Sequence, residues 1–308
     1  MQYLVNGIIN GSVYGLLGVS FGLVLAVTGR FHFAWAAAYA IAGFFTAWLV
    51  NHDGVPAVPA ILIAIFAAVI FNCLTEVLIY RAIAARMGAQ ALVGIFVASF
   101  GLTIAVSNLM VWVTGVANGP ETFTWISTRT LHVGGVTFIY LDVVVVASVW
   151  ACGIGTWALL RGSSLGRRIR AVESNPGMSE VVGINIERTY LVVFAISALL
   201  GGVAAVLSAM KYAATPSMGL TPIFYAFVVA FAAGLGRSPL RIMIVGTAVG
   251  LVEGIAARVL SVPWQPIVVF GILLIYLILK AAYSWRPNLF QLRRRVRGPA
   301  RAGTSNRV

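Results

Sequence analysis

The feature that most constrains this chain is a series of apolar runs, each close to the length of helix that crosses a bilayer. A helix of about 20 residues spans the roughly 30 Å hydrocarbon core. Such runs occupy residues 4–28, 31–50, 57–80, 90–114, 138–160, 189–210, 219–235, 240–260 and 265–283. They are continuously apolar rather than alternating, which favours helices over a membrane barrel. The pattern predicts an all-α integral membrane protein, a polytopic bundle of about eight to ten transmembrane helices.

Composition supports a membrane setting. The chain is 60% hydrophobic and 9% charged, with a mean hydropathy of +0.97, whereas a soluble domain carries roughly 25% charged residues. The first run has no basic segment before it and no clear cleavage site after it, so it is not expected to be a signal peptide. Cys73 and Cys152 lie in separate runs and are interpreted as small core residues, without disulfide or metal-ligand spacing.

The positions of the positive charges predict an orientation. The net charge is +13, and the basic residues cluster at Arg81–Arg86, Arg161–Arg170, Arg237–Arg241 and Lys280–Arg307. Basic connections stay in the cytoplasm, which places the N-terminus outside and the C-terminus inside. Residues 1–285 then form the transmembrane domain and 286–308 a basic cytoplasmic tail. We expect this tail to be a disordered membrane anchor rather than a nucleic-acid-binding segment.

One polar stretch, residues 161–188, separates two apolar runs on the cytoplasmic side. Within it, Asn175 is suited to cap a helix and Pro176 to occupy its first position. Met178, Val181 and Val182 then give that helix an apolar side, before Gly183 ends it in a left-handed conformation. Asn185 can cap the helix that follows, with Glu187 in its first turn. The order of these signals predicts a helix of one to two turns joined rigidly to a spanning helix.

Two interpretations of this short helix stay open on the residues alone. It is either a plain connector or a surface that docks another protein. A connector need not be helical and need not offer Met and Val side chains to water. The apolar side therefore favours docking.

The same stretch resembles a known family. "IRAVESNPGMSEVVGINIERT" is similar to the cytoplasmic loop of the branched-chain amino acid ABC-transporter permeases, the high-affinity uptake family. "VNGIINGSVYGLLGVSFGLVLAVTG" resembles the first span of that family, "GLGRSP" its later turn and "GLVEGI" the glutamate-containing span after that turn. The resemblance covers most of residues 3–285. It implies that the short helix is the coupling helix, formed by Asn175, Pro176, Met178, Val181, Val182, Gly183 and Ile184.

The chain departs from the family at two places. Where the family usually has Asn-Phe-Ala-His-Gly, this chain has "HFAWAAA", with His32, Phe33 and Trp35. Tyr225 stands where the family usually has a lysine. The break before residue 35 either lines a translocation pathway, as broken helices do in transporters, or forms an interfacial aromatic belt. The residues 215–227 interrupt a second short span in the same way.

Ionisable groups inside spans point to function or to interhelical bonds. Glu253 lies midway along an apolar run, and Arg258, five residues on, does not share its helix face. Its partner is therefore expected on another helix, whether Glu253 serves the pathway or only packing. Glu76 is one turn before Arg81 and predicts a local charge pair, while Asn72 is expected to bond between helices.

These features favour a transport subunit over an enzyme. The chain lacks the glycine-rich phosphate loop of an ATPase, so it is expected to bind no cofactor, with ATP used by partner subunits. The resemblance implies cytoplasmic ATP-binding subunits, a second permease subunit that is homologous or identical, and an extracytoplasmic solute-binding protein, in the inner membrane of a bacterium. The expected solute is a branched-chain amino acid, with urea, short amides or other small amino acids as alternatives. An ion-coupled secondary transporter would need more ionisable groups at mid-depth.

Overall fold

A computed structural model of the chain describes residues 1–115, 120–126, 130–133, 136–236 and 238–258, and also 267, 270, 271, 274, 275 and 278. The predicted span at 265–283 lies outside the described residues except for those six positions. The predicted tail at 286–308 lies outside them entirely.

Helices dominate the described part of the chain, as the sequence predicted. They are α1 (Gln2–Thr28), α2 (Trp35–Asn51), α3 (Ala57–Leu74), α4 (Arg81–Met87), α5 (Ala91–Thr114), α6 (Tyr140–Gly162), α7 (Ser164–Ser174), α8 (Pro176–Val181), α9 (Ile186–Lys211), α10 (Leu220–Ala233) and α11 (Pro239–Ala256). A π-helical turn, Thr75–Tyr80, joins α3 to α4, and a 3₁₀ turn, Gly88–Gln90, joins α4 to α5. The multi-pass, all-α prediction is confirmed.

Six of these helical segments are long and apolar enough to cross a membrane: α1, the continuous helix Ala57–Met87, α5, α6, α9 and α11. The apolar helices α2 and α10 are shorter, with 17 and 14 residues. Both predicted runs were longer, because residues 31–34 before α2, residue 219 before α10 and residues 234–235 after α10 belong to non-helical backbone. An apolar run indicates that its residues are buried, but it does not show whether their backbone is helical or extended.

The helices alternate in direction between two ends of the bundle. We call one the α8 end, because α7 and α8 lie there. The other is the hairpin end, where strands β1 (Thr130–Val133) and β2 (Val136–Ile139) form an antiparallel pair. The hairpin was not predicted. Gln2 fixes it to the start of α1, donating to the Thr137 carbonyl at 2.7 Å and accepting from the Thr137 amide at 2.9 Å.

Helix α1 is the centre of the bundle. It contacts α6, α7, α9, α10 and α11 and is mostly buried, while the outward sides of α3, α5 and α6 carry exposed apolar side chains. Glycines allow its closest approach, because Gly7 and Gly11 meet Gly250 and Thr247 of α11 backbone to backbone. A Cβ at Gly11 would lie 2.7 Å from the Thr247 carbonyl oxygen. The glycine spacing of both helices therefore sets the packing of the core.

The two interrupted segments meet inside the bundle. Gly29, at φ 67°, ends α1, and the chain turns back so that α2 starts about two turns deep, roughly 12 Å from the end. The depth is shown by Trp35, whose indole donates to Ser20 of α1 at 2.7 Å. From the hairpin end, residues 212–219 also turn inward, and Gly219 packs against the backbone of Ala36. The N-termini of α2 and α10 thus lie together near mid-depth.

Candidate functional site

The short helix α8 forms as its local sequence predicted. The Asn175 side chain accepts a hydrogen bond from the Met178 amide at 3.1 Å, and Pro176 occupies the first turn. The helix ends at Val181, and Gly183 follows with φ 83°. The Asn185 side chain then accepts from the Arg188 amide at 2.8 Å, which caps α9. Each cap satisfies one free backbone amide at the start of its helix. The Gly183 and Ile184 amides donate back to the Glu180 and Ser179 carbonyls, which holds α8 against the start of α9.

The seven residues predicted for coupling lie together, with different surroundings. Met178, Val181 and Val182 are 62%, 80% and 71% exposed, so they form an apolar surface that faces away from the bundle. Ile184 instead packs against the buried cluster that includes Phe194 of α9. The outward surface is available to another protein, while Ile184 holds the helix to the bundle. A docking role for these residues stays a prediction.

Helix α7 joins α8 to the centre of the bundle. The Ser163 hydroxyl accepts from the Gly166 amide at 2.9 Å and starts the helix. Ile169 and Val172 are fully buried in a cluster with Val24 and Val27 of α1. A displacement of α8 would therefore act on both α9 and, through α7, α1.

A network of charges lies beside this assembly at the α8 end. Glu76, in the π-helical turn, is fully buried and pairs with Arg30, which follows α1, and with Arg81 at 3.6 Å. Arg81 also pairs with Glu187 in the first turn of α9 at 2.7 Å. The predicted pair of Glu76 with Arg81 is thus part of a larger network. It links the break after α1 to the helix that follows α8.

The break itself is buried in the bundle. His32 is fully buried, with Nδ1 2.7 Å from the Tyr80 hydroxyl and Nε2 2.9 Å from Asn72 Oδ1. Asn72 also donates to the Phe194 carbonyl at 3.2 Å, so it bonds between helices as expected. Phe33 and Trp35 are buried as well. The environment is that of packed interior rather than an interfacial belt, and a pathway role for these three residues stays a prediction.

Tyr225 and Glu253, predicted separately for the pathway, are direct partners. The Tyr225 hydroxyl on α10 donates to Glu253 Oε1 on α11 at 2.7 Å. This agrees with the expectation that the partner of Glu253 lies on another helix. Tyr14 of α1 stacks on the Tyr225 ring with centroids 4.2 Å apart. Glu253 Oε2 is buried without a hydrogen-bond partner among the described residues.

This arrangement gives a test of what Glu253 does in the fold. Glu253→Gln retains an oxygen that accepts the Tyr225 hydroxyl, so we expect little change in stability. Glu253→Leu leaves that hydroxyl unpaired inside the bundle, and we expect a loss of about 1–3 kcal/mol. Thermal unfolding of the detergent-solubilised chain measures both. Equal midpoints for the two variants would show that the bond contributes nothing to stability.

A cavity of about 330 Å³ opens beside these tyrosines. It lies between α1, α2, α6, α9, α10 and the segment 212–219. Its lining residues are Ile9, Asn10, Val13, Tyr14, Leu17, Tyr39, Val145, Leu207, Ser208, Lys211, Tyr212, Ala213, Thr215, Met218, Thr221, Pro222 and Tyr225. Of the predicted pathway residues only Tyr225 lines it. Sequence reasoning missed the rest, although the interrupted stretch 215–227 marked one wall.

The mouth of the cavity is held by a polar contact at the hairpin end. Glu121 and Ala214 exchange backbone hydrogen bonds of 2.8 and 2.7 Å, which fixes the segment 212–219. Partial burial raises the pKa of Glu121. Hydrogen bonds from Asn51 at 2.6 Å and His52 at 3.0 Å lower the pKa by more than burial raises it. The pKa is lowered overall, so Glu121 stays ionised at neutral pH and keeps these bonds.

At the α8 end, burial raises the pKa of Glu173 in α7, and the nearby charge of Arg170 lowers it by less.

Among the described residues, no group of three His, Cys, Asp or Glu side chains could hold a metal ion.

Comparison of the sequence with known proteins finds relatives along most of its length. A family model described as the branched-chain amino acid transport system permease component matches residues 3–278. The high-affinity branched-chain amino acid transport permease BraD of Pseudomonas aeruginosa is 27% identical over 295 residues, which is 91% of this chain and 94% of BraD. The LivH permeases of Salmonella typhimurium and Escherichia coli are 25% and 24% identical over 309 residues, covering 94% of this chain and 96% of each relative. No solved structure matches the chain. Since the family model covers most of its length, the chain belongs to the branched-chain amino acid transport system permease family.

Proposed function

We propose that this chain is the membrane-spanning permease subunit of an ATP-driven ABC importer that carries branched-chain amino acids across the bacterial inner membrane. The observation that carries the proposal is the family match over residues 3–278. The names of the relatives supply the solute. The exposed apolar surface of α8 supports the docking of a partner.

In this proposal the α8 end faces the cytoplasm. Arg81, Arg86 and the arginines of 161–170 lie at that end, as basic residues do on the cytoplasmic side. The C-terminus is cytoplasmic by the same rule. Met178, Val181 and Val182 contact an ATP-binding subunit, which supplies the ATP hydrolysis. A second permease subunit completes the pore, and a solute-binding protein delivers the solute at the hairpin end.

The contacts around α8 suggest how ATP binding reaches the membrane part. Movement of α8 is transmitted to α9 through the short connection 182–185, in which the Gly183 and Ile184 amides donate to the Glu180 and Ser179 carbonyls at 2.9 Å each. It also reaches the break after α1 through Glu187, Arg81, Glu76 and Arg30. A rigid-body change of this kind converts closure of the ATP-binding subunits into opening of the other end.

A charge on the outward surface of α8 tests the docking. Val181→Asp places a carboxylate where we expect an apolar contact, and this side chain is 80% exposed, so folding is spared. We expect the affinity for the ATP-binding subunit to fall about 30-fold, which corresponds to about 2 kcal/mol. The measurement is co-purification from membranes, followed by the ATPase activity of the recovered complex.

Val58→Asp is the matched control. Val58 is also an exposed valine, at the start of α3, but it lies at the hairpin end. It should bind the ATPase as the unmodified chain does. If Val181→Asp also binds normally, the coupling surface has been wrongly assigned.

The solute is tested by uptake into vesicles that contain the assembled importer and its solute-binding protein. We expect ATP-dependent accumulation of leucine, competed by isoleucine and valine. Competition by urea or short amides alone would assign the chain to a different solute. Uptake driven by an ion gradient without ATP would overturn the ABC assignment.

A further inference from the structure

The cavity described above is apolar at its inner end and polar at its mouth. Its inner part is apolar and buried, with Leu17, Tyr39 and Tyr225 exposed by 1%, 2% and 4%. The mouth is polar and opens to the outside of the bundle, since Tyr212 is 55% exposed. A solute with one aliphatic end and one charged end fits such a gradient, because each end keeps its preferred surroundings.

The inner part has the form expected for an aliphatic side chain. The stacked rings of Tyr14 and Tyr225 form one wall, and the Tyr225 hydroxyl is turned away to Glu253. Val13, Leu17 and Leu207 supply the remaining apolar surface. A volume of about 330 Å³ lies at the lower end of the range of small-molecule sites, so it accepts a solute of amino-acid size rather than a peptide.

The mouth presents one cation and one amide oxygen, from Lys211 and Asn10. Lys211, the last residue of α9, lines it and pairs with Asp142 in the first turn of α6 at 2.8 Å. Tyr212 donates to Asn10 Oδ1 at 3.1 Å on the same rim. A free amino acid is a zwitterion, so its carboxylate can bind Lys211 while its ammonium donates to Asn10 Oδ1, both of which line the cavity. Urea has no aliphatic part, so it would leave the apolar inner part of the cavity unfilled.

We propose that this cavity is a binding site within the subunit for a zwitterionic aliphatic amino acid. The side chain lies against Leu17 and the Tyr14–Tyr225 wall, and the charged groups lie at Lys211 and Asn10. The site opens at the end opposite α8, which is where solute arrives if the proposed function is right, and the inference rests on that function. Its inner end reaches the region where α2 and α10 begin.

Protection of a cysteine tests binding without relying on transport. In the assembled importer, Cys73 and Cys152 are replaced by alanine, and Ser208→Cys is introduced in the cavity lining. We expect saturating leucine to slow labelling by a water-soluble maleimide at least tenfold, whereas urea leaves the rate unchanged. Asp53→Cys, at an exposed position on the same end outside the lining, is the control and should label at one rate throughout.

Filling the cavity gives the second readout. Ser208→Phe should lower leucine uptake at least tenfold while the ATP-binding subunit still co-purifies. Leu199→Phe, on the same helix but exposed on the outside of the bundle, should transport normally. If the importer takes up leucine but leucine does not protect Ser208→Cys, the cavity is not the binding site, and the proposed function is unaffected. An importer that takes up no aliphatic amino acid would overturn the proposed function and the cavity with it.

Discussion

Replacing Glu76 with alanine is expected to lower the free energy of unfolding by about 3–5 kcal/mol. Glu76 is fully buried, and its carboxylate pairs with Arg30 and Arg81. Its removal leaves the Arg30 guanidinium, only 15% exposed, without an opposite charge in a low-dielectric setting. The Tyr190 ring, 5.2 Å from the Arg30 guanidinium carbon, offers only partial compensation. The measurement is chemical unfolding of the detergent-solubilised chain.

Glu187→Ala is the matched control for this change. Glu187 belongs to the same network but its side chain is 71% exposed, and exposed ion pairs contribute at most about 1 kcal/mol. We therefore expect the Glu76 variant to lose several times more stability than the Glu187 variant. Equal losses would mean that burial does not set the strength of this network. Glu76→Gln should lie between them, because the amide oxygen still accepts a hydrogen bond without supplying charge.

The parts of the structure that the sequence could predict depend on near neighbours in the chain. Asn175, Gly183 and Asn185 act within three residues of their positions, through a side-chain cap or a positive φ. Each signal is therefore complete in a short stretch, and α8 forms with the predicted bounds. The long spans were predictable for a similar reason, since lipid requires about 20 apolar residues whatever the neighbouring helices are.

The parts that could not be predicted depend on distant contacts. His32 is fixed by Asn72 and Tyr80, which follow it by 40 and 48 residues. No local pattern shows that α2 begins inside the bundle, because the depth is set by the bond from Trp35 to Ser20. Arg30 was likewise missed as the partner of Glu76, since sequence proximity pointed only to Arg81.

The candidate site also contains features that the local sequence could predict and features that depend on distant contacts. Glu253 was identified as an ionisable group in an apolar run, and Tyr225 as the residue that stands where the family usually has a lysine. Neither signal showed that the two are bonded, because they lie 28 residues apart. The cavity is assembled from five helices and one connection, so its lining has no linear signature. Only the interruption by Pro216, Gly219 and Pro222 marked its position. Breaks in apolar runs are therefore a better guide to such sites than single polar residues.

The other large effect is expected at the contact between α1 and α11. Gly250→Leu should lower the free energy of unfolding by more than about 4 kcal/mol, or prevent the chain from accumulating in the membrane. A Cβ at Gly250 would collide with the backbone of Gly11 and Gly7. A side chain on either partner helix could rotate away, but backbone cannot. The only relief is to separate α11 from α1, the helix on which α6, α7, α9 and α10 also pack.

Gly101→Leu isolates this packing effect from the general effect of replacing a helical glycine. Gly101 lies in α5, and nothing is within 4 Å of a Cβ built there. Leucine at that position should be neutral or gain up to about 1 kcal/mol from its better helix propensity. Gly250→Ala adds only the colliding Cβ and should still be destabilising, which keeps the test readable if the leucine variant does not fold. Should Gly250→Ala and Gly101→Ala give equal unfolding free energies, the close backbone contact is not what holds α11 to α1.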